Sequence, residues 1–207
     1  MKFTKKQQNI LNDIIISRRD VRGNNFLSKN IKKKKLKKIL QSGLHAPSVG
    51  FSQPWKFVVI ENNDTKQKVY DDFTSHYEKS KKHFKGRELY NSLKLEGIKE
   101  SPVNIAVFYK KPKKKVLGQT SQKKMGEYSV VCAIQNMWLM ARSLNIGIGW
   151  VSIISHKKVR KILNVSDEYK LVGYLCVGYT KQFLDTPELE TLKWEKKKKL
   201  KKVVSFI

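Results

Sequence analysis

Apolar positions along the chain alternate between helical spacing and short continuous runs, and the two patterns take turns. Ile10, Leu11, Ile14 and Ile15 share one helical face. Thr4-Lys5-Lys6-Gln7 ahead of them has the residues of a capping box, so a first helix should start at Thr4 and end near Ser17. A second is expected over 31–42, with Leu36, Ile39 and Leu40 inward, lysines outward and Gly43 as its stop. Residues 55–61 read as a buried strand, and Asn63-Asp64-Thr65 as the start of a helix carrying Val69, Phe73 and Tyr77. The stretch 79–99 is expected to be polar and helical until Pro102 breaks it. Further strands are expected over 104–109, 146–154 and 171–179.

The strongest helical pattern spans 126–145. Val130, Ala133, Ile134, Met137, Trp138, Ala141 and Leu144 keep the period, while Val131, Cys132, Leu139 and Met140 make the rest apolar too. A helix apolar all round is buried in a domain centre or a subunit interface. Interleaved helices and strands imply α/β or α+β with one sheet. No repeat or linker interrupts 1–207, so one domain is expected, and the long helix suggests a dimer whose cores merge.

Composition changes this picture little. No apolar run approaches the ~20 residues that span a bilayer, and no cleavable leader follows the charged start, so a cytoplasmic protein is expected. Cys132 and Cys176 sit in apolar stretches and read as small buried hydrophobes. The net charge of +27 attracts polyanions in bulk. Yet only six basic residues are Arg, the side chain that reads phosphate and guanine with a rigid fork. Lysine-rich solvated faces, rather than specific nucleic-acid recognition, are the expectation.

The scarcity of Arg makes its clustering informative. Arg18, Arg19 and Arg22 lie within five residues, which suits bidentate recognition of a phosphate. The competing reading is a helix C-terminus attracting cations, worth about 0.5 kcal/mol. Asp20 among these cations should be ionised. A second candidate is 45–55, His-Ala-Pro-Ser-Val-Gly-Phe-Ser-Gln-Pro-Trp. Its two prolines and Gly50 should make a stiff loop presenting Ser48 and Gln53. Gly147-Ile148-Gly149 lacks the third glycine and following helix of a dinucleotide fingerprint, and the four histidines lack ligand spacing. The set suits a ligand with a phosphate and a flat polar ring system.

Ser17-Arg18-Arg19-Asp20-Val21-Arg22, the loop 46–55 and Gly147 onward resemble the flavin-binding signature of the nitroreductase superfamily. Within it, RRDVR, PSVGFxQPW, SLKLEGI (92–98), VLGxT (116–120), YSxVCAxQNxW (128–138) and GWVSI (149–153) resemble the BluB-type branch, the 5,6-dimethylbenzimidazole synthases. The resemblance extends to Tyr179, Pro187-Glu188-Leu189 and Trp194, and so covers nearly the whole chain.

What the resemblance implies is specific. The fold would be α+β, a mostly antiparallel central sheet flanked by helices, in an interlocked homodimer with FMN at the subunit interface. Reduced FMN would be substrate, fragmented with O2 to 5,6-dimethylbenzimidazole and erythrose 4-phosphate. NAD(P)H would act indirectly through a flavin reductase. Arg18, Arg19, Val21 and Arg22 would hold the phosphate and ribityl chain, and Ser48, Gly50 and Gln53 the loop against the flavin. Ser92, Leu93 and Leu95 would approach from the partner subunit, with Trp150 and Val151 beside the ring. Asp20 and Ser152 would be the catalytic pair. The alternative is a conventional FMN-dependent nitroreductase or dehalogenase, against which Asp20 in place of Ser argues. Two departures stand out. Lys197 occupies the place of a phosphate-holding Arg, and the turn 23–25 looks about one residue longer.

Overall fold

The computed structural model describes residues 1–207. Helix α1 (Lys5–Ser17) starts as its sequence dictates. The Thr4 hydroxyl accepts from the Gln7 N–H, while the Gln7 side chain accepts from the Thr4 N–H at 2.8 Å. None of its residues is buried, and Ile10, Leu11, Ile15 and Ile16 stand about half exposed.

Helix α2 (Lys33–Leu44) buries Leu36 and Ile39. Gly43 does not stop it but lies inside it, buried. A Cβ there would sit 3.0 Å from the Phe57 ring and 3.1 Å from the Met137 side chain. The glycine therefore serves close packing rather than termination.

Strand β1 (Trp55–Ile60) leads into α3 (Asn63–Lys81), capped by Asn62, whose side chain accepts from the Thr65 N–H at 2.8 Å. Beyond α3 the long polar helix expected over 79–99 is absent. Only α4 (Glu88–Ser92) is helical there, after a 3-10 turn at Lys82–Phe84. Aromatic packing organises this region instead, with Phe84 stacked on Tyr90 at 4.2 Å. From 93 onward, side chains satisfy the backbone. Buried Glu96 accepts from the Ile98 N–H at 2.7 Å, and Lys94 bridges Glu96 and Glu100.

Strand β2 (Val103–Lys110) is buried along all but its last residue because both of its faces are covered. Helix α5 (Met125–Ser143) follows, then β3 (Gly147–Val151), α6 (His156–Ile162), β4 (Tyr169–Gly178) and the short α7 (Glu188–Thr191). The four strands form one antiparallel sheet in the order β1-β2-β4-β3. Ile105, Val107, Leu175 and Val177 face α2 and α5, packing on Ile39, Ile134 and Met137. Ala106, Phe108, Tyr174 and Cys176 face α3 and α6, packing on Val69, Phe73 and Val159. This is an α+β fold with a central sheet between helical layers, as the resemblance implied. No helix is long and apolar enough to cross a membrane. Cys132 and Cys176 are unpaired, and Cys176 is fully buried.

Helix α5 is covered on most sides but not all. Val130, Ala133, Ile134, Met137 and Ala141 are buried, whereas Tyr128 and Val131 remain 49% and 40% exposed. Its all-round apolarity therefore exceeds what one copy of the chain covers.

Candidate functional site

The segment leaving α1 runs along the edge strand β3 and is stitched to it. The Val21 N–H donates to the Ile148 carbonyl at 3.0 Å, and Asp20 pairs with Ile148 as an isolated parallel bridge. The Trp150 N–H donates to Asp20 Oδ1 at 3.0 Å. Approach this close needs glycine on β3. A Cβ on Gly147 would sit 2.6 Å from Val21 Cγ2, and one on Gly149 would collide with the Val21 carbonyl oxygen. The Gly147-Ile148-Gly149 pattern, unremarkable as a phosphate fingerprint, is thus a backbone docking strip. A GxG inside a strand was the one sequence signal for it.

The three arginines divide their work. Arg19 donates to the carbonyls of Ile16 at 2.7 Å and Arg18 at 2.8 Å, and to that of Asp185. It thereby satisfies the open C-terminus of α1, so the competing reading of the cluster holds for this residue in part. Its Nε is buried with no partner. Arg22 pairs with the Asp20 carboxylate and donates to the Leu95 carbonyl at 3.1 Å. The Arg18 guanidinium lies over the Trp138 ring at 4.8 Å and makes no hydrogen bond or ion pair within the chain. Its guanidinium fork is the one left open to an anion.

Asp20 feels more than the cations that the sequence places beside it. Burial pushes its carboxyl above the ordinary value, and this outweighs Arg22, the Trp150 N–H and Arg18, which all pull it down. Its contacts are still those of a carboxylate, with one oxygen on an N–H and the other on a guanidinium. The upward push brings it nearer to exchanging a proton at working pH.

Around this segment, Arg18, Arg19, Asp20, Val21 and Arg22 line a cleft of about 380 Å3 closed by Lys181 and Gln182. A broader cleft of about 910 Å3 adjoins it at Arg18 and Arg19 and takes in Arg142, Lys196 and Lys197. Lys197 thus comes beside the arginines, its backbone N–H donating to Glu190 at 3.3 Å. Trp138 and Arg142, which sequence reading placed only in a helix pattern, hold the segment from below. The Trp138 indole donates to the Arg19 carbonyl at 3.2 Å and Arg142 Nε to that of Ser17 at 3.1 Å.

Ser152 lies exposed just past the end of β3. It is two residues beyond the Trp150 N–H that holds Asp20, about 7 Å along an extended chain. Val151 is buried, and Trp150 leans on Trp138 with ring centroids 6.4 Å apart.

The loop 45–55 is as stiff as its prolines imply. Gly50, Phe51 and Gln53 all have positive φ, at 55°, 51° and 45°. For the two side-chain-bearing residues this is a strained conformation of the sort found at functional sites. Ser48 Oγ accepts from the Gln53 N–H at 3.1 Å, and the Val49 N–H donates to Ser129 Oγ at 3.1 Å. Gly50 also allows the Leu117 carbonyl to approach.

These groups do not all meet within one chain. The loop is pinned near the start of α5, at Ser129, whereas the arginine segment is pinned near its end, at Trp138 and Arg142. Nine residue steps of helix from Ser129 to Trp138 separate the two by roughly 14 Å of rise. The segment 92–95 meets the arginines of its own chain through the Leu95 carbonyl. Ser92 is exposed, its hydroxyl donating to the Leu89 carbonyl at 2.9 Å, and Leu93 is half-buried.

Residues 15–179 match the model of the nitroreductase family. The chain is 36% identical to a 5,6-dimethylbenzimidazole synthase of Rhodospirillum rubrum, over 87% of each sequence. It is 30% identical to one of Rhodobacter capsulatus, over 94% of this chain and 95% of that one. A BluB-like flavoprotein from Clostridium difficile superposes with a TM-score of 0.71 at 22% identity, over 95% of this chain and 98% of the other. The protein belongs to the nitroreductase family, in the branch of the 5,6-dimethylbenzimidazole synthases.

Proposed function

We propose that this chain is a 5,6-dimethylbenzimidazole synthase that consumes reduced FMN and O2 and releases the benzimidazole and erythrose 4-phosphate. The observation that carries the reading is Asp20. Its carboxylate is locked against β3 between the Trp150 N–H and Arg22, one strand repeat from Ser152. A conventional reductase does not need a half-buried proton carrier at this place.

The donor set suits FMN. Arg18 has an open fork, Arg19 a buried unpartnered Nε, and Lys197 adds charge from the adjoining cleft. Reduced FMN supplies the electrons for O2 and the ring atoms of the product. Arg18 would hold the phosphate, with Trp138 packed against its guanidinium. Arg22 and the Trp150 N–H fix the Asp20 carboxylate so that it takes and returns protons at one place. Ser152 Oγ, exposed just past the end of β3, would donate a hydrogen bond to the flavin. Val21 and Val151 form the dry wall next to them.

Two copies complete the site. Pairing α5 with its twofold copy, end to opposite end, would carry the Ser48, Gly50 and Gln53 loop of one chain toward Arg18–Asp20 of the other. The exposed Tyr128 and Val131 on α5 and the exposed apolar residues of α1 support this homodimer. Electrons would come from NAD(P)H through a separate flavin reductase, as the reading of FMN as substrate requires.

Aerobic incubation with FMN and a reductant, followed by chromatography, should yield 5,6-dimethylbenzimidazole from a species sedimenting as a dimer. Intact flavin as the sole outcome would overturn the reading. Arg18→Ala should weaken FMN binding roughly tenfold, the worth of one charge-assisted contact, and leave riboflavin binding unchanged. Equal losses for both flavins in fluorescence titrations would remove Arg18 from the phosphate.

A further inference from the structure

Asp72 lies on α3, outside the cleft, and is fully buried. An ionised carboxylate is costly to bury without partners. Its Oδ2 accepts from the Ser155 N–H at 2.7 Å. Its Oδ1 accepts no hydrogen bond and has His76 Nδ1 and Lys158 Nζ each at 3.5 Å. The His76 ring is drawn to the Asp72 carbonyl at 2.8 Å.

The place of that bond gives it consequence. Strand β3 ends at Val151 and α6 starts at His156. Ser152, Ile153 and Ile154 donate no backbone hydrogen bond in the turn between them. Ile154 is buried in the layer between sheet and α3, and Ser155 caps α6 by accepting from the Lys158 N–H. The Asp72–Ser155 contact is therefore the polar tether of the turn that carries Ser152. It reaches from α3 to the start of α6 within the layer that covers one face of the sheet.

We propose that Asp72 is a positioning residue. It fixes the 152–155 turn, and through it the Ser152 hydroxyl, at the angle the reaction needs. The proposal rests on the reading of Ser152 given above. A carboxylate suits the task better than a neutral acceptor because charge shortens and strengthens a hydrogen bond to a backbone N–H. The flanking Lys158 offsets its charge from the Oδ1 side, without competing for the oxygen that holds Ser155.

Two measurements test this. In the flavin-free protein, Asp72→Ala should speed hydrogen exchange of the Ser155 amide at least tenfold, with β4 amides unchanged. Asp72→Asn, which keeps an acceptor oxygen, should recover most of that protection. In turnover, Asp72→Ala should lower kcat about tenfold with FMN affinity within about threefold, and should cost little more in a Ser152→Ala background. Unchanged exchange at Ser155 overturns the tether. An equal kcat loss with and without Ser152 reduces Asp72 to a general staple between α3 and α6 and overturns its action through Ser152. Should Asp72→Ala not fold, the same two comparisons are read from Asp72→Asn, with smaller changes in the same direction expected. Should the wild-type chain make no benzimidazole, the functional reading fails and the proposal with it; exchange at Ser155 then reports only on the tether.

Discussion

Asp20→Asn should reduce formation of 5,6-dimethylbenzimidazole by at least about 100-fold, the usual worth of a positioned proton carrier, while FMN affinity changes by less than about threefold. The asymmetry follows from how the residue is held. Asn offers the same shape and an oxygen for the Trp150 N–H, so the stitch to β3 survives. What it lacks is the ability to take up a proton. Single-turnover product yield and flavin titration, measured on the same preparation, separate the two effects. Loss of FMN binding in step with loss of product would make Asp20 a structural ion-pair partner of Arg22 instead.

The same substitution has a thermodynamic signature. Burial raises the Asp20 carboxyl above its unfolded value, so the folded chain holds that proton more tightly than the unfolded one does. The group is neutral in both states at low pH and contributes nothing there. As pH climbs from the unfolded value through the folded one, ionisation inside the protein costs stability. Wild type should therefore lose stability relative to Asp20→Asn over that window, as denaturant midpoints at successive pH values would register. A difference of the opposite sign would mean that Arg22 and Arg18 outweigh burial.

Much of this site is visible in residue types before any fold is known. Arg18, Arg19 and Arg22 stand out because Arg is rare in the chain, and the 45–55 loop because prolines and glycine constrain it. Residue type does not tell which arginine is free. Arg19 works largely on carbonyls of its own helix end, which depends on where α1 stops and on a carbonyl at Asp185 far along the chain. The expected helix over 79–99 fails for a related reason. Leu89 and Leu93 keep a helical spacing, but Glu96 and the Lys94 bridge give the backbone and charges other partners. Gly43 reads as a stop because helix termination and close packing both call for glycine, and only the neighbouring Phe57 and Met137 decide between them. Asp72 carried no sequence signal at all. It is one acid on a polar helix until α6 is folded against it.

Gly149→Ala should do what Asp20→Asn does not, and remove binding and chemistry together. On a strand interior alanine is ordinarily harmless or mildly favourable, since glycine has more freedom to lose. Here the added methyl would occupy the space of the Val21 carbonyl, which is backbone and cannot rotate away. Either β3 or the 20–21 segment must retreat. The retreat breaks the Val21–Ile148 and Trp150–Asp20 hydrogen bonds, because both depend on that approach. Overpacking of this sort costs about 1–3 kcal/mol, so the folded protein should persist with a lowered melting temperature. Arg18 and Arg22 shift with the segment, and FMN affinity should fall by at least about tenfold, equivalent to 1.4 kcal/mol. Product formation should fall at least as far as in Asp20→Asn, since the proton carrier is displaced as well as the phosphate grip. A Gly149→Ala protein that binds FMN and turns over like wild type would show that the close contact between residues 20–21 and β3 is not what organises the site.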